Sequence, residues 1–409
     1  MTECKEIKGC RICYSPALEE FLDLGDQPWC NDFVEADQVG KEKRYPLRLC
    51  FCHHCSAVQI THTVPKETMY SDHMYLSGIN KSMVKHFGEV KNRVIDMLNS
   101  CSSKPPFVVD IGSNDGTLLK EFYDCEVLGV EPCGKAASMA INNGIPTDVA
   151  FFNCDHALGI RDRRGKAQVI SAANVFYHVE DLHSITDGVK ELLANDGIFV
   201  IQASYLPSIM DNKAFDIMYH EHLLYYRIET LDRLLNMHGL ELFDIDMAPD
   251  IHGGSMVAYA CHVGARQKTE RLSTAIFKEF YRSHTIDTYK SFAAEIQNLR
   301  DNIYEFVDGL KANKNIYAFG APAKGTVLLN YCGLTNEQIT CATEKNLLKF
   351  GKFIPGTGIP IVDEDEQDEP DYYLLLSWNF AKHFCKSKAF LSGKRKFIVP
   401  IPQPEILSV

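Results

Sequence analysis

The chain has 409 residues, of which 45% are hydrophobic and 23% charged, a balance typical of a soluble globular protein with room for two or three domains. A formal net charge of −12 argues against general nucleic-acid binding, which depends on basic surface. No stretch approaches the roughly 18 apolar residues of a membrane span, and the opening "MTECKEIKGC" lacks the apolar core of a signal peptide. The expectation is a cytoplasmic protein with no nucleic-acid or membrane partner, and a monomer by default.

The first region, residues 1–75, shows little periodicity and is marked by cysteine. Fifteen cysteines are scattered along the chain, unlike the dense framework of a small secreted disulfide protein. Cys10 and Cys13 form one CxxC, and Cys52 and Cys55 a second. Each such turn aims two thiolates at one ion, and two turns close a tetrahedral structural zinc site. Cys50, His53 and His54 stand beside the second pair and offer a replacement ligand. A redox role is disfavoured, because neither CxxC opens a helix after a strand. The reading is structural zinc without a catalytic role.

Residues 76–265 alternate strand and helix signals, as in an α/β domain. "PPFVVDIGSNDGTLLKEF" reads as a buried strand from Phe107 to Asp110, a glycine turn, and an amphipathic helix. Gly112 and Gly116 permit close backbone approach before a helix N-terminus. The spacing is not the dinucleotide G-x-G-x-x-G. Asn114 replaces the second glycine, and Asp115 puts a carboxylate where a pyrophosphate would lie. That suits a cationic, phosphate-free cofactor. A second strand, in "CEVLGVEPCGKAA", ends in Glu131, the place of a ribose-binding acid. A third, in "AQVISAANVFYHVED", ends near Asn174 and His178. This order resembles the class I S-adenosylmethionine methyltransferase fold. Its cofactor candidates are Asp110, Gly112, Asn114, Asp115, Gly116, Glu131, Pro132, Phe151 and Asn174. A nicotinamide-dependent enzyme is the alternative.

Further on, "FDIMYHEHLLYY" sets Glu221 between His220 and His222. The spacing is not the helical H-E-x-x-H, in which two imidazoles share a face. On a strand, neighbouring residues point to opposite sides, which argues against one shared ion and turns Glu221 away from His222. A buried polar cluster and a proton-transfer site both fit. Residues 266–313 form a linking helical region, with Phe292, Ile296, Leu299, Ile303, Phe306 and Leu310 in one apolar stripe. Residues 314–409 return to strand, turn and helix signals. Their "GAPAKGTVLLN" is not a P-loop, because Lys324 precedes Gly325 instead of following it. A glycine turn into a helix still binds anions, and Lys324 would suit a diphosphate. The acidic run "DEDEQDE" at 363–369 reads as a solvated loop.

Six segments in one order, "CRIC", "CHHCSAVQI", "VVDIGSNDGTLL", "MYHEHLLYY", "HGGSMVAYA" and "YAFGAPAKGTVLLNYCGL", make the chain similar to the bacterial sugar C-methyltransferases that act on nucleotide-linked keto-deoxysugars. The tetronitrose C-methyltransferase type is one example. The resemblance runs from Cys10 to about Trp378. It implies an α/β protein with a small N-terminal zinc-binding domain, a central class I methyltransferase domain and a C-terminal Rossmann-like domain that binds no methyl donor. The cofactors implied are S-adenosyl-L-methionine and structural zinc. The substrate implied is a TDP- or GDP-linked 4-keto-deoxysugar, methylated on the carbon beside the ketone in branched-chain deoxysugar biosynthesis.

That reaction needs a base, donors for an enolate oxygen, and an aligned methyl donor. The resemblance puts Tyr219, Glu221 and His222 at the family's catalytic Tyr-x-Glu-His. His222 is the candidate base, Glu221 a partner for it or for a sugar group, and Tyr219 a donor to the enolate oxygen. His178 is the other candidate for donor or base. Tyr75 in "HMYLSG" aligns with an active-site tyrosine. His252, Gly253 and Gly254 match a substrate-contacting His-Gly-Gly. The segment "CATEKNLLKFGKFIPGT" departs from the family pattern "AVDxNPLKxGKYTPGT". Outside this family, a nucleotide-sugar oxidoreductase or epimerase, an O- or N-methyltransferase, and a non-catalytic zinc scaffold are the competing readings.

Overall fold

A computed structural model describes residues 4–65, 69, 78, 81–98, 104–249, 251 and 253–408. Tyr75 and His252 lie outside the described residues. The architecture is α/β, organised on three larger sheets.

The first sheet is antiparallel and built from Leu18–Pro28, Arg44–Cys52 and Val58–Ile60. Alternation in Arg44–Cys52 puts Leu47, Leu49 and Phe51 on one face, buried against Leu22 and Leu24, while Cys50 and Cys52 on the other face are buried as well. Its fourth strand comes from far along the chain. Leu224–Tyr225 adds to the edge, with Leu224 opposite Gln59 and Tyr225 opposite Val58. The segment carrying His220, Glu221 and His222 is thereby tied to the cysteine-rich region.

The central sheet has seven strands. From one edge they run Leu240–Ala248, Ser255–His262, Leu193–Ser204, Ala167–Ala173, Phe107–Ile111, Glu126–Val130 and Thr147–Asp148. Only Ser255–His262 runs antiparallel to its neighbours. Phe107–Ile111 is buried throughout, as expected of a parallel strand covered on both faces. Strand order reverses between Phe107–Ile111 and Ala167–Ala173, which leaves a crevice at their carboxyl ends.

The linking region holds helices Glu270–Phe280 and Ile286–Lys311. Tyr289, Phe292, Ala293, Ile296, Leu299, Ile303 and Val307 form the buried stripe of the longer one, with Phe306 and Leu310 packed beside it. The third sheet orders Ile361–Asp363, Ala342–Glu344, Ile316–Phe319, Tyr372–Leu375, Phe397–Val399 and Glu405–Leu407, the last antiparallel. One apolar core runs through the first sheet, the 215–225 segment, the long helix and the third sheet. Among the described residues no helix is long and apolar enough to cross a membrane.

The acidic run is a largely exposed segment, as its composition suggests, but two of its carboxylates are paired. Arg395 pairs with Glu364 at 2.8 Å and with Glu369 at 2.9 Å, and it lies over the rings of Phe319 and Tyr373.

Candidate active site and metal site

Cys10, Cys13, Cys52 and Cys55 converge, with all four sulfurs within 4.8 Å of one another. Cys10 Sγ lies 3.5 Å from Cys55 Sγ, and Cys13 Sγ lies 3.6 Å from Cys52 Sγ. A tetrahedron of roughly 2.3 Å zinc–sulfur bonds has sulfur–sulfur edges of about 3.8 Å, so the quartet fits the ion. The rival ligands are engaged elsewhere or stand outside the group. His53 pairs with Glu19 at 2.8 Å, His54 meets Arg233 at 3.2 Å, and Cys50 is buried on its strand outside the cluster. No second group of this kind occurs among the described residues.

At the crevice of the central sheet, the turn after Phe107–Ile111 depends on glycine. Gly112 has φ +67°, and a Cβ there would lie 2.5 Å from Val175 Cγ2. Gly116 has φ +77°, and its Cβ would lie 2.9 Å from Ile145 Cγ1. Glu131 closes the turn from the neighbouring strand. Its Oε2 accepts from Asn114 N–H at 2.8 Å and its Oε1 from Cys133 N–H at 2.7 Å, across Pro132. Asp110 takes a 2.6 Å hydrogen bond from the Ser171 hydroxyl. Burial pushes its carboxyl up to about 7, with the Glu131 charge adding to the rise and Ser171 opposing it. Asp115 turns back onto its own helix, accepting from the Thr117 hydroxyl at 2.5 Å, and also holds Gly78 N–H at 3.0 Å. Asn174 follows the strand Ala167–Ala173 at φ +59°; its side-chain oxygen accepts from Tyr177 at 3.3 Å. Phe151 is 40% exposed beside buried Phe152.

The His-Glu-His stretch is not a strand. Phe215–Ile217 is a 3₁₀ turn, residues 218–223 bend, and regular pairing begins only at Leu224. The opposite-sides argument for Glu221 therefore lapses, and the bend gives each side chain its own direction. His220 points to the first sheet, where its Nε2–H donates to the Tyr45 carbonyl at 3.1 Å. Burial lowers its pKa to about 4, so it is a neutral structural histidine. Glu221 also meets the first region, and its Oε1 accepts from both Trp29 Nε1–H and Asn31 Nδ2–H, each at 2.7 Å.

His222 faces an aromatic box. Its ring centroid lies 3.9 Å from Tyr219, 4.6 Å from Tyr177 and 5.0 Å from His178. Two backbone hydrogen bonds fix this bend: His222 N–H donates to the Tyr219 carbonyl and Leu223 N–H to the Tyr177 carbonyl, both at 2.9 Å. Tyr226 OH adds a bond to the Phe176 carbonyl at 3.2 Å. Segments 174–178 and 219–226 are thus stitched together, and Tyr177 bridges His222 to Asn174. Burial, reinforced by the nearby Glu221 charge, holds the Tyr219 phenol well above its usual range, so it remains an O–H donor.

Gly253 and Gly254 turn at φ +81° and +121°, and a Cβ on Gly254 would lie 2.5 Å from Ser208 Cβ. Lys324 lies at the start of the Ala323–Cys332 helix with its ammonium already partnered. Nζ donates to Asn379 Oδ1 at 2.5 Å, lies 3.6 Å from Asp216 Oδ2, and sits 4.5 Å from the Trp378 ring centroid. Trp378 Nε1–H donates to the same Asp216 oxygen at 2.6 Å.

The sequence reading did not single out Trp29, Asn31, Tyr177, Asp216 or Trp378. One signal was available. The chain has only two tryptophans, and a buried indole N–H requires an acceptor. Here both acceptors are carboxylates of the 215–222 segment.

A mostly parallel sheet with a glycine turn closed by a strand-end carboxylate, and with clustered His and Tyr rings beside it, is the arrangement expected of an S-adenosylmethionine-dependent methyltransferase. Comparisons with known proteins give the same class and narrow it. Residues 10–70 match a zinc binding domain family, 86–245 a methyltransferase domain family, and 250–402 the C-methyltransferase C-terminal domain family. C-methyltransferase NovU of Streptomyces niveus is 32% identical over 414 residues, covering 99% of this chain and 98% of the relative. Among solved structures, the CurJ carbon methyltransferase is 16% identical over 45% of this chain and 56% of its own, with a TM-score of 0.35. Magnesium protoporphyrin IX methyltransferase of Synechocystis PCC 6803, with bound SAM, is 12% identical over 48% of this chain and 88% of its own, at TM-score 0.34.

The chain belongs to the C-methyltransferase family. It is an S-adenosylmethionine-dependent enzyme with a zinc-binding region. The oxidoreductase, epimerase, O- or N-methyltransferase and scaffold readings are set aside by that membership.

Proposed function

We propose that the substrate is a nucleotide-linked 4-keto-deoxysugar and that the methyl group is placed on the ring carbon beside its ketone. The observation that carries this reading is the His178–His222 pair, 5.0 Å apart, boxed by Tyr177 and Tyr219 at the edge of the cofactor crevice. A carbon bound to hydrogen is not a nucleophile until a base removes its proton, and a neighbouring carbonyl makes that possible by taking up the charge.

His222 removes the proton, with His178 as the second imidazole able to do so. The C–H electron pair moves into an enolate whose oxygen takes a hydrogen bond from Tyr219, kept protonated by its burial. Glu221 receives a sugar hydroxyl. Bound S-adenosylmethionine supplies an electrophilic methyl on a sulfonium. Glu131, held at the end of its strand by the Asn114 and Cys133 N–H groups, stands at the place of a ribose-binding acid, and Asn174 and Phe151 flank the same crevice. Nucleotide contacts are assigned to the C-terminal region, near the glycine turn and Lys324.

The test is product analysis. Purified protein, S-adenosylmethionine and a panel of TDP- and GDP-linked 4-keto-6-deoxysugars are incubated and read by mass spectrometry. One added methyl that fragments with the ring carbon next to the ketone, with S-adenosylhomocysteine formed, is the expected result. Methyl gain on an amine or hydroxyl, or on none of the panel, would reject the substrate assignment.

A further inference from the structure

From the double hydrogen bond on Glu221 we infer that Trp29 and Asn31, in the cysteine-rich N-terminal region, are positioning residues for the reaction. They clamp one oxygen of Glu221 so that the other receives the substrate. This rests on the proposed role of Glu221 as a sugar-hydroxyl acceptor.

Both donors take the same oxygen. Trp29 Nε1–H and Asn31 Nδ2–H each reach Oε1 at 2.7 Å, the short range of charge-assisted bonds. Glu221 is 2% exposed, so its carboxylate has almost no water to solvate it and depends on such donors. Oε2 takes no hydrogen bond from the described residues. Two donors on one oxygen fix the carboxylate plane and leave Oε2 as the acceptor presented to a ligand.

The clamp is itself anchored from two sides. Trp29 directly follows the end of Leu18–Pro28 in the first sheet. Cys30, between the two donors, gives its carbonyl to the Thr326 hydroxyl at 3.0 Å, and Phe33 lies 4.4 Å beneath the Lys349 ammonium. A turn held by the N-terminal sheet on one side and the C-terminal helix on the other therefore aims a carboxylate in the 215–222 bend. Trp378 holds the other end of that bend through Asp216. The N-terminal region is then more than a zinc-bound appendage, since it supplies the two groups that orient Glu221.

The experiment is a double-mutant cycle on the full-length zinc-loaded protein. Trp29→Phe keeps the ring and removes the donor; Asn31→Ala is the second variant. Each is made in the wild-type and the Glu221→Gln background, with turnover of the keto-sugar and affinity for S-adenosylmethionine both measured. We expect each variant to lower kcat/KM for the sugar by about tenfold, with methyl-donor affinity unchanged, and to cost little further in Glu221→Gln. Equal fold losses in both backgrounds, or no loss, would overturn the clamp. A readout independent of substrate runs alongside. The two indole N–H proton signals are recorded by NMR, and Glu221→Gln should move the Trp29 signal while leaving that of Trp378 in place. An unmoved Trp29 signal overturns the inference. Absence of turnover of any keto-sugar by the wild type, with the Trp29 signal shifted, instead counts against the substrate assignment and leaves the clamp standing.

Discussion

At the residue scale, three neighbours in sequence serve three purposes. His220 is a strut to Tyr45, Glu221 is held by Trp29 and Asn31, and His222 sits in the aromatic box. His-Glu-His was legible as a polar cluster worth attention, and its partition was not. The bend that separates the three side chains is set by contacts with residues 29–31, 45 and 177, distant in sequence. His222→Ala should slow methyl transfer by about 10²- to 10⁴-fold with S-adenosylmethionine affinity unchanged by calorimetry; a loss confined to His178→Ala would move the base to that residue. His220 carries a pH signature. Its folded pKa, about 4, lies below the unfolded value, so between roughly pH 4 and 6.5 the unfolded chain binds a proton the folded one refuses. The stability it contributes is present above pH 6.5 and is lost as pH falls toward 4, by up to about 3 kcal/mol. Urea unfolding of His220→Gln should show a shallower decline over that window than wild type. Asp110, raised to about 7, slopes the opposite way in both proteins and cancels in the comparison.

Elements were legible where local chemistry decides them. The turn from Gly112 to Gly116 reads from sequence because its backbone angles and the approach of Val175 and Ile145 admit little else. The Ile286–Lys311 stripe reads because helical period and burial agree. By contrast, apolar and aromatic residues around 215–226 suggest a strand, and burial in the shared core bends them instead. The acidic run is a largely exposed segment, as its composition suggests, but two of its carboxylates are paired. Arg395, far enough away to be invisible to charge-run reasoning, draws Glu364 and Glu369 to it. Gly112→Ala should cost about 1–2 kcal/mol from the left-handed angle alone, plus the clash with Val175. It should also weaken S-adenosylmethionine binding at least tenfold, as read by calorimetry and thermal melting. Unchanged binding would mean the turn tolerates a side chain and does not closely approach the cofactor.

At the scale of the whole molecule, the four cysteines and the order of strands were readable, because ligand spacing and strand-to-loop motifs are local signals. The joining of regions was not. Leu224–Tyr225 completes the N-terminal sheet, and one core runs from that sheet to the C-terminal one; no periodicity announces either. Loss of the metal should therefore be felt beyond the cysteine knuckles. Cys13→Ser should abolish stoichiometric zinc, lower the melting midpoint by several degrees or more, and reduce keto-sugar turnover more than methyl-donor affinity. Zinc loss with full turnover would detach the metal from the site.

The central claim is that this chain's own side chains remove a proton from carbon. Its most direct measurement incubates a nucleotide-linked 4-keto-6-deoxysugar with the protein in heavy water, with S-adenosylhomocysteine in the donor site so that no methyl can move. Protein-dependent deuterium gain at the carbon beside the ketone, lost in His222→Ala, is the predicted result. Absence of exchange, for a sugar the enzyme does methylate when S-adenosylmethionine is supplied, would contradict it.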